Sequence, residues 1–495
     1  MPVLTIINLI WYFVLYSHVE SVPCGLCISI RLRTPHPTNH IYIAKSTTNN
    51  QKCSSTPTVR ISIIMLFEQK IASSAELNIE LAVPPGWSFA PGDTIVGNVV
   101  RRSHLVTPHA SLKLSLCGQT KSKTMDQYQD NHHDYKAKWT LFDAQWDQLF
   151  RGPLHVPGTD RREDDWTVPF SVEIPTRPSE RLVKRHVQAE SYLPLDRDSV
   201  ALQTLPGTFA SHADGLYAFP YGSIEYLLEA VLTYGYGGST ITKRATRRIV
   251  LCHTSIEPPL TFYDFQRQTN TFTVQSQRLI PGMQDARLSF GQKTQKFFES
   301  SKVPKFSCAV DIEVPKKVQL DSELVIPFTI RITSLPNRTS ESIRDTLQTI
   351  QIHSIKLTLK AITDVRAPGE WSSNHVHSDA VTKTNQSISL LDPPNTPVVV
   401  SVPVKGDKGG KDDCGSESID IGSLLELCLR SDGLHKGSPP FLRTRARFVY
   451  PDFVSYLIKH ANRLYWDVSL SIAGESKKIS SNGPFKVLSE YSRLL

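Results

Sequence analysis

Apolar and polar residues alternate with period two along most of this chain. Leu77, Ile79, Leu81 and Val83 alternate with Asn78, Glu80 and Ala82, and Leu112, Leu114 and Leu116 with Lys113, Ser115 and Cys117. Successive side chains of a strand point to opposite faces, so such a stripe specifies a sheet with one buried face and one wet face. Between 224 and 234 the even positions are Ile224, Tyr226, Leu228, Ala230, Leu232 and Tyr234, while Glu225, Glu229 and Thr233 fall between them. This spacing predicts that Tyr226, Leu228 and Ala230 face a core and that Glu225 and Glu229 face solvent or a loop. The cleanest stripe is Ile355, Leu357, Leu359 and Ala361 against Ser354, Lys356, Thr358 and Lys360. Helical periodicity is confined to short stretches near 340–350 and 421–430, so the predicted fold class is all-β, with many short strands.

The strand patterns come twice. Ser111-Leu-Lys-Leu-Ser-Leu116 returns 243 residues later as Ser354-Ile-Lys-Leu-Thr-Leu359. Ile79-Glu80-Leu81 corresponds to Ile312-Glu313-Val314, Tyr226 to Tyr465, and Val250-Leu251 to Val487-Leu488, in the same order. Two tandem β-sandwich lobes of one plan account for this. The expected organisation is an N-terminal extension over 1–74, a first sandwich over 75–255, a connection over 256–303 and a second sandwich over 304–490. Hydrophilic insertions at 121–138, 151–165, 177–214, 366–384 and 405–418 read as surface loops. Residues 3–16 form a mostly apolar run too short to span a membrane, and residues 1–64 read as a dispensable extension or a signal-like segment.

With 55 Lys+Arg against 47 Asp+Glu the formal charge is +8, spread along the chain rather than gathered as in a nucleic-acid binder. The densest cationic knot is Lys243, Arg244, Arg247 and Arg248, the candidate basic patch. Eight Cys at irregular spacing argue against a disulfide framework, and Cys24-Gly-Leu-Cys27 lacks the second pair that structural zinc needs. No nucleophile elbow, phosphate-binding loop or His-Glu-x-x-His is present, so neither an enzyme nor a cofactor is expected. His375-Val-His377-Ser-Asp379 and His132-His133-Asp134 lie in polar stretches and read as solvated loops rather than metal sites. Asn337-Arg-Thr339 and Asn385-Gln-Ser387 are glycosylation sequons, which matter only to the alternative reading, a secreted or lumenal β-sandwich binding module.

Phe89-Ala-Pro91-Gly92-Asp93-Thr-Ile95-Val-Gly97-Asn-Val99, followed by residues 112–118, resembles the opening strands of the arrestin N-terminal domain. Ile224-Glu225-Tyr226-Leu-Leu-Glu229-Ala230 is similar to that domain's later Tyr-containing strand, and the second half more loosely resembles the arrestin C-terminal domain. The resemblance covers about 75–490, with loop insertions of the kind seen in fungal alpha-arrestin-like proteins. It implies a fold signature of Pro91, Gly92, Asp93, Gly97, Tyr226, Glu229 and Ala230. It also implies a non-enzymatic cytoplasmic adaptor, peripheral at plasma membrane or endosomes, that binds cytosolic tails of membrane proteins for endocytosis or ubiquitin-dependent sorting. Alpha-arrestins recruit a ubiquitin ligase through Pro-Pro-x-Tyr. Here Pro258-Pro259, Pro393-Pro394 and Pro439-Pro440 lack the Tyr and Pro84-Pro85-Gly86-Trp87 carries Trp, so that recruitment is not expected from these motifs. Pro91-Gly92-Asp93 is expected to form a turn in which Pro fixes φ, Gly supplies positive φ and Asp bonds the following backbone.

Overall fold

The computed structural model describes residues 76–490 apart from 85, 129–130, 143–145, 158–164, 212–219, 254–256, 285, 288, 291–302, 369–375, 393–396, 405–415 and 438–448. The 1–74 extension lies outside the described residues. The fold is all-β, with only short helical turns. The first half contains β1 (Asn78–Leu81), β2 (Thr94–Arg101), β3 (Leu105–Tyr128), β4 (Asn131–Phe142), β5 (Trp146–Val156), β6 (Trp166–Glu173), β7 (Phe209–Ala210), β8 (Tyr221–Tyr236) and β9 (Ser239–Ile249). The second half contains β10 (Phe265–Gln275), β11 (Lys305–Pro315), β12 (Lys317–Gln319), β13 (Thr329–Ser334), β14 (Leu347–Pro368), β15 (Val376–Leu391) and β16 (Val398–Pro403). It continues with β17 (Ser416–Asp420), β18 (Cys428–Arg430), β19 (Gly433–His435), β20 (Phe453–Val454), β21 (Ile458–Ile472), β22 (Glu475–Pro484) and β23 (Lys486–Leu488).

The two halves repeat one strand order. In the first, a sheet β4-β3-β8-β7 carries β5 beside β3 and β9 beside β8; in the second, β15-β14-β21-β20 carries β16 beside β14 and β22 beside β21. The companion sheets are β1-β2-β6 and β10-β11-β13-β17. Even the parallel contacts agree: Phe89 bridges Leu251 in the first half and β12 pairs β23 through Val318 and Val487 in the second. Ser111–Leu116 and Ser354–Leu359 thus occupy the same place, in β3 and β14. Register corrects one correspondence drawn from sequence. Gly118 faces Tyr226 in β8, and its counterpart Ala361 faces Asn462 in β21, so the partner of Tyr226 is Asn462 and not Tyr465. The two side chains do the same work. The Tyr226 hydroxyl donates to the Pro206 carbonyl at 2.6 Å, and the Asn462 amide donates to the Tyr450 carbonyl at 2.9 Å, each tying its strand to a segment upstream.

Two apolar cores follow from the alternation. One gathers the inward residues of β1 to β9 together with Val365 and Ala367 of β14 and Ile458 of β21, the other the remaining inward residues of β10 to β23. Ile224, Tyr226, Leu228, Ala230 and Leu232 are all 1% exposed or less, while Glu225 and Glu229 stand half-buried on the opposite face. Glycine is needed where two strands approach most closely. A Cβ on Gly118 would meet the Tyr226 ring at 2.8 Å, and one on Gly97 would collide with the Glu80 carbonyl of β1.

Other expectations are corrected. Residues 340–350 are not helical: a single 3-10 turn, Glu341–Ile343, precedes β14, because the alternation of Gln348, Ile350 and Ile352 is that of a strand. The connection over 256–303 contains β10, which pairs with β11 along its whole length. Residues 151–156 belong to β5. Within the polar stretches 121–138 and 366–384, residues 121–128 belong to β3, 131–138 to β4, 366–368 to β14 and 376–384 to β15, with Lys121 opposite Lys138 and Arg366 opposite Ser378. In the first of them the buried face is polar: Thr120, Ser122 and Thr124 share it and are each 1% exposed or less, and the Ser122 hydroxyl donates to the Arg366 carbonyl of the other half.

Burial of Tyr226 yields a direct test. Tyr226→Asp should destabilise the protein by about 3–5 kcal/mol through a buried unpaired charge, and Tyr226→Phe by about 1 kcal/mol through the bond lost to Pro206. Urea unfolding of the two variants that matches wild type would refute this placement.

Candidate functional site

The residues from which the resemblance was drawn build local geometry. Ala90-Pro91-Gly92-Asp93 is a tight turn: the Asp93 amide donates to the Ala90 carbonyl at 3.1 Å, Gly92 has φ +92°, and Asp93 Oδ2 accepts from the Ala90 amide at 2.7 Å. Asp93 therefore bonds back across the turn, not forward as expected. The turn is pinned to the end of β6 by Gly92 donating to the Ile174 carbonyl and Ile174 donating to the Asp93 carbonyl. A second turn of the same kind precedes it. Trp87 donates its amide to the Pro84 carbonyl at 3.2 Å across Gly86, which has φ +83°. Positive φ at the third position of such a turn needs glycine. The Pro-Pro-Gly-Trp segment is thus a turn that presents Trp87, 47% exposed, at the surface.

The four candidate cations do not form one patch. On β9 the side chains alternate, so Lys243 and Arg247 share the face of buried Ala245 and Ile249, while Arg244 and Arg248 share the opposite face. Strand pairing then supplies carboxylates to three of them. Lys243 pairs with Glu76 at 2.7 Å, Arg244 with Glu229 of β8 at 2.6 Å, and Arg248 lies 3.9 Å from Glu225 of β8. Glu225 also accepts from Lys121 at 2.8 Å and Gln119 at 3.1 Å. Burial works to raise its pKa, but Lys121, Arg248 and Gln119 outweigh it and hold the carboxyl below its ordinary value. Arg247 has neither a carboxylate nor a hydrogen-bond partner among the described residues, and its Nε is shut off from water. It lines a groove of about 130 Å³ with Leu81, Val83, Trp87, Phe89 and Ile249.

A second concavity, of about 120 Å³, lies where the halves meet, between Leu205, Gly207 and His253 on one side and Phe453, Ser455 and Tyr456 on the other. The surrounding contact is extensive. The Arg366 guanidinium lies 3.8 Å over the Tyr192 ring and donates to the Ser191 carbonyl at 2.7 Å. Tyr135 stacks on His377 at 3.8 Å, the Met125 amide donates to Asp379 at 2.6 Å, and the Ser122 hydroxyl donates to the Arg366 carbonyl. His377 and Asp379, weighed in the sequence as metal-like, are thus engaged in holding the halves together; His375 lies outside the described residues. No group of three or more His, Cys, Asp or Glu placed to hold a metal ion occurs among the described residues. Asp134 pairs with Lys123 at 2.8 Å, and the Thr339 hydroxyl of one sequon is buried against Ser307 and Leu335. No helix among the described residues is long and apolar enough to cross a membrane. Neither Arg366 nor Tyr192 stood out in the sequence, because a cross-half contact has no local period.

No family model matches the chain, and no curated protein matches it either.

Asp452, beside this junction, makes stability pH-dependent. Its Oδ1 accepts from the Asn462 amide at 3.1 Å, the Asn462 side chain at 2.7 Å and the Val487 amide at 3.1 Å. Burial prevails over these bonds and pushes its pKa from 3.8 up to about 6. A raised folded-state pKa means that the native state holds this proton more tightly than the unfolded chain does. The contribution is therefore complete below pH about 4 and lost as pH rises through about 6. Asp452→Asn keeps the oxygen that accepts all three bonds and removes the titration. Wild type should lose on the order of 2–3 kcal/mol relative to this variant between pH 4 and 7.5, read by urea unfolding at both pH values. A constant difference between the two proteins would show that Asp452 does not titrate in this range.

Proposed function

We propose that this protein is a non-enzymatic arrestin-like adaptor whose two sheet pairs are tandem sandwiches of arrestin type, and that it binds extended cytosolic segments of membrane proteins to direct their trafficking. The observation that carries the reading is the repeated strand order. Two halves with the same sheet arrangement, joined through buried hairpins, match what the arrestin-like sequence segments imply for the architecture. The described surface adds support of a chemical kind. Its two described concavities are small and carry aromatic side chains, one of them with Arg247 and Arg248 as well, which suits an extended peptide better than a small substrate. The spread of the +8 charge, with three of the four β9 cations already facing carboxylates, favours short acidic segments over a polyanion such as nucleic acid. Ligase recruitment is not assigned to Pro84–Trp87, which has Trp where the ligase motif needs Tyr.

The test is recruitment of the tagged full-length chain in cells that express candidate client membrane proteins, paired with capture on beads that carry their cytosolic tails. The expected result is client-dependent accumulation at the membrane, with tail binding weakened several-fold as salt rises from about 50 to 300 mM. Accumulation that ignores the client, or a protein found outside the cell, would defeat the adaptor reading.

A further inference from the structure

We infer that the groove between Trp87 and Arg247 docks an acidic, extended peptide segment of a partner protein, taking one apolar side chain against Trp87 and one carboxylate on Arg247. This inference deepens the adaptor reading and rests on it for the source of the segment. Two independent observations meet at this place.

The first is an uncompensated cation. β9 places four cations in six residues, and the fold supplies a carboxylate neighbour to Lys243, Arg244 and Arg248. Arg247 is the exception. It is half-buried between Ala245 and Ile249, each 2% exposed or less, and lacks a hydrogen-bonding partner among the described residues. With its Nε shut off from water, this guanidinium is stabilised by a carboxylate that approaches the open side of its planar fork, and here that carboxylate has to come from outside.

The second is an exposed aromatic on a rigid mount. Trp87 follows a turn closed by its own amide and by the positive φ of Gly86, so its ring is held at the mouth of the groove at little cost in conformational freedom. Leu81, Val83, Phe89 and Ile249 form the floor. An apolar side chain with an acidic neighbour complements this combination; a basic segment is repelled, and a purely apolar one leaves Arg247 uncompensated. β9 has β8 as its one strand partner among the described residues, so the groove also lies along a sheet margin, where an extended backbone fits. Arg248 also lines the groove but has Glu225 3.9 Å away, and two cations in a concave site, one of them facing a carboxylate, favour such a peptide over an anionic membrane surface, which needs several cations on a protruding face.

The experiment titrates the full chain against a labelled peptide, Glu-Asp-Leu-Phe-Asp-Glu, followed by fluorescence anisotropy. Its controls are the charge-reversed Lys-Lys-Leu-Phe-Lys-Lys, the anchorless Glu-Asp-Ala-Ala-Asp-Glu, and phosphatidylcholine vesicles with about a fifth phosphatidylserine. Arg247→Gln and Trp87→Ala should each weaken binding of the acidic peptide about tenfold or more. Arg244→Gln, outside the groove, should leave it within about twofold, with unchanged thermal unfolding certifying each fold. The inference is overturned if both groove variants bind like wild type, if the charge-reversed or anchorless peptide binds equally well, or if vesicles bind and the peptide does not. Peptide binding without recruitment in cells would defeat the adaptor reading and keep the groove. Client recruitment that survives Arg247→Gln and Trp87→Ala would do the reverse.

Discussion

Polar residues buried on β3 and β14 are the constraint around which both halves are arranged. Each strand begins with an apolar stripe that packs into its own core; β3 then continues as a polar stretch from Lys121, and β14 continues with Asp364 and Arg366 alternating with buried Thr363, Val365 and Ala367. A polar strand face gains nothing from an apolar neighbour and must find hydrogen bonds when covered. Part of this demand is met between the halves and against the 189–192 segment, by Ser122 with Arg366, Met125 with Asp379, and Arg366 with Ser191, while the Thr120 and Thr124 hydroxyls have no hydrogen-bond partner among the described residues. The apolar side of the same region is shared too, since Val365, Ala367, Tyr456 and Ile458 join the core of the first half. A Cβ on Gly222 would press into Val365 and Ile458 at 2.9 and 3.0 Å, so small size at that position lets the halves approach.

Within this frame the repeated plan tolerates different chemistry at equivalent places. Tyr226 and Asn462 occupy the same register and both reach upstream, yet one does so from a purely apolar environment and the other through a carboxyl that burial has made a weak acid. The strand order survives this exchange because sheet architecture depends on the face that each side chain occupies rather than on its identity. The carboxyl raised by burial at this register thus belongs to the second half, while Glu225 in the first half is shifted downward by its cationic neighbours.

The charges on β9 illustrate the same principle at the surface. A cluster of four cations in sequence becomes two pairs on opposite faces, and cross-strand neighbours on β8 neutralise the outer pair. What remains is one cation, Arg247, next to an aromatic delivered by a glycine turn. A chemically specific groove thus replaces the diffuse patch that the linear sequence suggested.

The period-two stripes by themselves determined that the chain is all-β, which face of β8 is buried, and that one strand order is used twice, because burial of alternate residues is a local property written into each segment. Turns at Pro91-Gly92-Asp93 were legible for the same reason: positive φ needs glycine wherever it occurs. Tertiary structure alone decided that 121–128, 131–138, 366–368 and 376–384 are strands, since contacts that hold them, such as Ser122 with Arg366 and Met125 with Asp379, come from the other half. It also decided which residue matches Tyr226, a matter of hydrogen-bond register, and which of four neighbouring cations lacks a carboxylate, a matter of which acidic side chains the adjoining strand and segment bring alongside.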